Sequence, residues 1–394
     1  MRILVLGGAG HMGEEIVNQL ISRSDVQITV CDAAANKLAK LASGLGSRVD
    51  TAVIDVDDAN GLISQMKKAD VVVSAVGPYY KYATKIIEAS IAARINMVDI
   101  DDDFDATLAS LKLDDKAKKA GVTAIVGCGA SPGVTNILAK YGADKLDKVE
   151  EIRIYWAESA TDPAGPAAMI HWFHITSGAV PMYINGDWVD VKGLSGPEVV
   201  EFMPPLGLLE VCYTGHAEPV SLPRFVKGVK NVTIKGAVFP SRMFDVYKML
   251  TELGFGSIET FNLPDGYSIP VRELAVRLLR AMPRFAPQFF VDLYNEEMSR
   301  YAGCAGATKV VVTGQKNGEI TKYTYDLMTD SVRTGTATPA AVAALLLARG
   351  DVKQHGILAP EGAFTPASFL KELKVPINEV ETIKRQVVSA DKPG

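Results

Sequence analysis

The sequence predicts an α/β protein: a Rossmann-type, doubly wound parallel sheet followed by a second α+β domain on a mostly antiparallel sheet. Three features carry this expectation. Short apolar runs alternate with amphipathic segments through the first 145 residues, a G-x-G-x-x-G loop follows the first run, and the rhythm changes near Glu150. Strands alternating with helices imply βαβ units and a parallel sheet covered on both faces. The runs Ile3–Leu6, Gln27–Cys31, Ala52–Ile54, Val71–Val76, Asn96–Ile100 and Thr123–Val126 each suit a buried strand. Between them Met12–Ile21, Asn36–Leu41, Ala83–Ala93 and Ala106–Ala120 have helical patterns. Six strands in this order fit a dinucleotide-binding sheet.

After Glu150 alternating segments are joined by proline-rich loops (Pro163, Pro166, Pro181, Pro197) rather than by regular helices. Asn317-Gly318, between Lys309–Gly314 and Glu319–Asp326, is the turn pair of a β-hairpin. Helices are expected at Ser241–Leu253 and Val271–Met282, and again after Asp330, where Pro339 suits a first helical turn. The chain of 394 residues exceeds what one core usually serves. The boundaries follow as 1–148 for the dinucleotide-binding domain, 149–330 for a substrate and dimerisation domain, and 331–394 for a helical tail returning to the first domain. Ala390–Gly394 is expected to fray.

Composition removes several classes of function. A net charge of −5 leaves no basic face for nucleic acid. Cys31, Cys128, Cys212 and Cys304 are scattered without C-x-x-C spacing, as reduced thiols are. Of five histidines only His171 and His174 are close, so no metal is expected. Three apart on a helix, these two share a face that could line the cleft, with packing around Trp172 and Phe173 the expected reason for them. The longest strongly apolar stretch, Ala340–Ala348, is too short to span a bilayer. A cytoplasmic location and no membrane partner follow as expectations.

Gly8-Ala9-Gly10-His11-Met12-Gly13 follows a strand and opens a helix. There Gly8 suits the tight turn, Gly10 the approach of a pyrophosphate and Gly13 the contact of helix with sheet, with His11 and Met12 beside the cofactor. Asp32 ends the second strand, placed for ribose hydroxyls, and Ala33 offers no partner to a 2′-phosphate. NAD is therefore expected over NADP.

Ligands in such sheets lie beyond the carboxyl ends of the strands, where three more loops are informative. In the first, Ala75, Gly77 and Pro78 would border the nicotinamide side and present Tyr79 or Tyr80 to a substrate. The second carries Asp99, Asp101, Asp102 and Asp103, four carboxylates that call for a cation such as a substrate ammonium. Asp99 is the candidate proton acceptor. The third, Gly127–Asn136, would bring Cys128 to the substrate and Asn136 to cofactor or substrate.

These motifs together resemble the saccharopine dehydrogenase family. The likeness rests on G-G-A-G-H-M-G at Gly7–Gly13, G-P-Y-Y at Gly77–Tyr80, I-N-M-V-D at Ile95–Asp99 and S-P-G-V-T-N at Ser131–Asn136. It continues through Tyr213–His216, Ser221–Arg224, Val229–Val232 and Thr338–Ala341. The resemblance, strongest to the lysine 6-dehydrogenase branch, implies hydride transfer between a nicotinamide and the C–N bond of a lysine-like amino acid. It also implies a homodimer. Asp99, Tyr79 and Cys128 would then serve the chemistry. A substrate α-carboxylate needs a cation, for which Arg224 and Arg242 are candidates beside His216 and Tyr80. Two alternatives are a reductase of the saccharopine or carboxynorspermidine type, forming a secondary amine, and a non-catalytic NAD-binding scaffold or sensor.

Overall fold

The computed structural model describes residues 1–42, 44, 46–162, 165–301 and 303–384. Pro163 and the expected frayed end Ala390–Gly394 lie outside the described residues. The first sheet contains β1 (Arg2–Leu6), β2 (Gln27–Asp32), β3 (Val49–Val53), β4 (Val71–Ser74), β5 (Asn96–Asp99) and β6 (Thr123–Ile125). Its order is Gly356–Leu358, β6, β5, β4, β1, β2, β3, and every neighbouring pair is parallel. The unbroken apolar runs Ile3–Leu6 and Val71–Val73 are fully buried because helices cover both faces of the central strands. The edge strand β3 is the polar, exposed one. Strand order reverses between β1 and β4, so a crevice opens at their carboxyl ends.

The second sheet has nine strands and is mostly antiparallel. At its centre β7 (Lys148–Ser159) runs parallel to Asn231–Phe239 and antiparallel to Gly306–Lys316. Gly306–Lys316 and Glu319–Thr329 form the expected hairpin, with Asn317 at φ 52° and Gly318 at φ 81°. Positive φ at both positions matches the right-handed twist of the strands, and Asn-Gly is the pair that tolerates it.

The tail departs from a purely helical return. Its helix, Val332–Arg349, is buried against α1 (His11–Arg23), β4 and β5. It starts at a Ser331 cap, so Pro339 lies inside it rather than in its first turn. The tail then adds Gly356–Leu358 to the first sheet and Asn378–Lys384 to the second. The predicted helix Ala106–Ala120 is two helices, Phe104–Leu111 and Asp114–Ala120. All four cysteines are buried free thiols. Among the described residues, no helix is long and apolar enough to cross a membrane.

Candidate active site

A cleft of about 1140 Å³ runs from the carboxyl ends of β1 and β2 to the second sheet. One end is bounded by Gly7, Gly10, His11, Met12, Asp32 and Lys37, and the other by Asp102, Glu158, His171 and His216; Asp162 and Asp330 lie in the wall on the His11 side. Ala75, Gly77, Pro78 and Tyr79 form the wall between.

The glycine loop works somewhat differently from the expectation. The turn residue is Gly7, at φ +70°, rather than Gly8. Gly8 instead faces β2, where a Cβ would lie 2.4 Å from a Val30 methyl. A Cβ on Gly13 would lie 2.1 Å from the Gly7 carbonyl oxygen, so only glycine lets α1 pass this close to the loop. Gly10 precedes α1 without a side-chain cap. The first-turn N–H groups are thereby left for an anion, as a pyrophosphate requires.

Asp32 is committed to the protein backbone. Its Oδ2 accepts from the Ala9 N–H at 3.1 Å and its Oδ1 from the Ala34 N–H at 2.9 Å. The same end of the cleft has a cation, Lys37, two residues into α2 (Ala35–Ala42).

At the far end the helix Pro166–Thr176 lies across the acidic loop that follows β5. His171 pairs through Nδ1 with Asp103 Oδ1 at 2.8 Å and through Nε2 with Asp102 Oδ2 at 3.2 Å. With a carboxylate on each ring nitrogen, the imidazolium is the form that satisfies both. Burial opposes the charge on His171, but Asp102 and Asp103 outweigh it and push the ring up to about 9. Burial likewise opposes the Asp103 carboxylate, and the His171 hydrogen bond prevails and holds it below its usual range. Burial pushes Asp102 up to about 7, against the pull of His171. His174 binds Asp105 at 3.0 Å and the Arg272 guanidinium at 3.0 Å. His171 thus balances the acidic loop and lines the cleft, and His174 hydrogen-bonds Asp105, so neither merely packs around Trp172 and Phe173. Asp102, Asp103 and His171 have ligand-type atoms within 4.8 Å of one another, as do Asp103, Asp105 and His174. Each ring nitrogen in both groups already has a protein partner.

Several expected residues lie elsewhere. Asp99 is buried behind the cleft, where Oδ1 accepts from the Asp101 and Gly127 N–H groups and Oδ2 has no partner. Burial pushes it up to about 6. Cys128 is fully buried, its thiol directed to the Pro339 carbonyl at 3.8 Å. Asn136 is spent on structure: Oδ1 accepts from the Gly133 N–H and Nδ2 donates to Ser221 Oγ. Tyr80 is outside the lining, its ring against His174 at 4.6 Å. Arg224 stacks on Trp188, and Arg242 lies on Phe289 beside Glu296, both away from the cleft. Tyr79 and His216 do line it. Glu158, at the end of β7, was hidden in the sequence because a single carboxylate on an alternating strand has no signature.

A parallel Rossmann-like sheet and a mixed second sheet thus bound a cleft lined by acidic and imidazole groups. Residues 3–125 match the family profile described as saccharopine dehydrogenase NADP binding domain. Over 418 residues the chain is 24% identical to a carboxynorspermidine synthase of Vibrio cholerae, covering 95% of this chain and 94% of that protein. It is 25% identical over 146 residues to the Saccharomyces cerevisiae saccharopine dehydrogenase [NADP(+), L-glutamate-forming], covering 37% and 31% of the two chains. The fold is similar to a solved saccharopine dehydrogenase (L-Glu forming) of Saccharomyces cerevisiae, at TM-score 0.66 and 15% identity over 97% of this chain and 99% of that one.

The family profile and the yeast relative overturn the NAD preference and point to NADP. The structure supplies the physical reason. Ala33 is not the only side chain available to a 2′-phosphate, since Lys37 reaches the same end of the cleft, and Asp32 is tied to Ala9 and Ala34. Replacing Lys37 by alanine is expected to weaken NADPH binding roughly tenfold or more and leave NADH binding unchanged, by fluorescence titration. An equal loss for both nucleotides would assign Lys37 a merely structural role.

Proposed function

We propose that the protein is an NADPH-dependent oxidoreductase that reduces the C=N bond formed between an aldehyde and a cationic amine, yielding a secondary amine. The observation that carries this reading is the charge of the substrate end. Asp102, Asp103 and Glu158 line it, and among the described residues no lysine or arginine lines the cleft except Lys37 at the nucleotide end. An α-carboxylate bound there would meet like charge without a guanidinium partner, whereas the free ammonium of an α,ω-diamine would meet opposite charge. Arg224 and Arg242, the expected partners of a lysine-like α-carboxylate, lie away from the cleft.

Condensation joins the amine nitrogen to the aldehyde carbon and expels water; the carbon then receives hydride and the nitrogen a proton. The bound nucleotide supplies the hydride. The glycine loop and the start of α1 fit its pyrophosphate, Lys37 its 2′-phosphate, and Ala75–Pro78 the wall beside its ring. The acidic end holds the ammonium not undergoing reaction, and Trp156 and Trp172 exclude water around it. The Vibrio relative is named for synthesis of such a product, which supports this direction.

The test is loss of NADPH absorbance when the protein is mixed with an α,ω-diamine and a short aldehyde. Turnover is expected only with both components present and is expected to be faster for diamines than for lysine. NADP⁺ reduction by lysine alone, with no turnover on diamine and aldehyde, would instead restore oxidative deamination of an amino acid.

A further inference from the structure

The paired His171 is committed to two carboxylates, which leaves the proton handling of the cleft to another group. We propose that His216 is its acid–base residue and that Glu218, buried behind it, is the positioning residue that fixes its tautomer and stores its proton. This inference rests on the reductive reading above.

Glu218 is completely buried at the start of the helix Glu218–Phe225. The Ser131 and Thr135 hydroxyls both donate to its Oε1. Its Oε2 has no hydrogen bond and lies 3.7 Å from His216 Nδ1. His216 is 5% exposed, lines the cleft, and has no hydrogen bond at either ring nitrogen. Two orphaned nitrogens and an orphaned carboxylate oxygen, side by side and out of water, are costly unless they serve one another or a ligand. One arrangement answers this: Nδ1–H directed at Glu218 Oε2, leaving the Nε2 lone pair for a substrate. It is the orienting logic of a carboxylate–histidine pair.

The charged neighbours support that assignment. His171, from the helix Pro166–Thr176, packs edge-on to His216 with ring centroids 5.5 Å apart, and its partner Asp103 faces the pair. Trp156 covers another side at 5.5 Å. Burial, and then the His171 charge, hold His216 well below its ordinary value, so it enters the reaction as a neutral base. Burial raises Glu218, and the hydroxyls of Ser131 and Thr135 oppose this. Glu361, from the short helix Pro360–Ala363, is a second buried carboxyl in the same polar layer, facing Ser221 and Asn136 and raised by burial and, in small part, by the like charge of Glu218.

The proton balance closes within one turnover. Nε2 takes a proton from the substrate ammonium, freeing the nitrogen to attack the aldehyde carbon, while the Nδ1 proton moves to Glu218. When the C–O bond of the resulting carbinolamine breaks, the proton returns by the same route to the departing hydroxyl, which leaves as water. The iminium then accepts hydride at carbon and becomes the neutral secondary amine.

Two readings on the full-length protein test this. Ring ¹⁵N spectra are expected to show His216 as the Nδ1–H tautomer and to change in Glu218→Gln. An Nε2–H tautomer that is indifferent to Glu218→Gln would overturn the proposal, whether or not any substrate is turned over. With NADPH, diamine and aldehyde, Glu218→Gln is expected to lower kcat about 10²-fold, at the low end for acid–base groups. NADPH affinity and the KM for diamine should hold, and the acid limb of the pH profile should move lower, since His216 loses its anionic neighbour. His216→Gln should lose at least as much, with no further loss on adding Glu218→Gln. Independent, multiplicative losses would overturn the pairing. Absence of turnover in the wild type would sink the reductive reading, while the ring spectra still decide the pair.

Discussion

Gly13→Val is expected to lose NADPH binding by about 10²-fold or more, even in protein that remains folded. The first atom of any side chain there meets backbone on two sides, the Gly7 carbonyl oxygen at 2.1 Å and Gly8 Cα at 2.7 Å. Neither can rotate away as a side-chain tip would. The start of α1 must therefore retreat by roughly 1 Å, to the usual contact distance of nonbonded atoms. That retreat carries the first-turn N–H groups away from the pyrophosphate, and a misplacement of about 1 Å can cost about 10²-fold where orientation matters. Gly46→Val is the matched control: a Cβ there has nothing within 4 Å, so it should bind as the wild type does. Nucleotide fluorescence titration of the three proteins measures the difference. A Gly13→Val affinity within twofold of wild type would mean that the loop does not hold the phosphates.

The contrast between glycine loop and substrate end shows which physics is legible in one dimension. Gly7–Gly13 and β1–β6 are local or periodic features: buried parallel strands read as apolar runs, and a close backbone approach reads as glycine. The Asn317-Gly318 hairpin is legible for the same reason. What stayed hidden depends on partners distant in sequence. The bonds of Asp32 to Ala9 and Ala34 are of this kind, since they exist only once the loop has folded beside it. Lys37 is four residues past Ala33, and only the first turn of α2 brings it back to the cleft. Cys128 and Asn136 were in the right loop, but their side chains turn into the core. The acidic run Asp99–Asp103 alternates its environment along the chain, so Asp99 and Asp101 are buried while Asp102 reaches the cleft. Its partners His171 and His174 are about 70 residues further on, His171 standing 68 positions after Asp103. Their spacing of three on one helix was visible; the complementary spacing of Asp103 and Asp105 would have supplied the match. Arg224 and Arg242 were chosen for charge alone, and charge without a known strand order cannot place a residue in a cleft.

The same His171–carboxylate group makes a second large effect expected, on stability rather than on binding. His171→Asn should destabilise the protein near pH 7 by about 3 kcal/mol or more, because Asp103 is then left buried without its cation. The pH dependence separates this from simple loss of packing. The folded ring titrates at about 9 against an ordinary 6.5. Below about 6.5 both folded and unfolded chains hold the proton, and the pairing contributes fully. Between 6.5 and 9 only the folded chain holds it, so stability falls as pH rises, by up to about 1.4 kcal/mol for each pH step. Above 9 the contribution is gone. Asp102, raised from 3.8 to about 7, adds a decline on the acid side of this interval, so the portion above pH 7 belongs mainly to His171. Thermal unfolding from pH 6 to 9.5 should therefore show a falling Tm in the wild type and a flatter curve in His171→Asn, the two converging at the alkaline end. Parallel curves would mean that His171 is neutral in the folded protein. The acidic end of the cleft would then carry more negative charge than the pairing leaves it, and the demand for a cationic substrate would be stronger still.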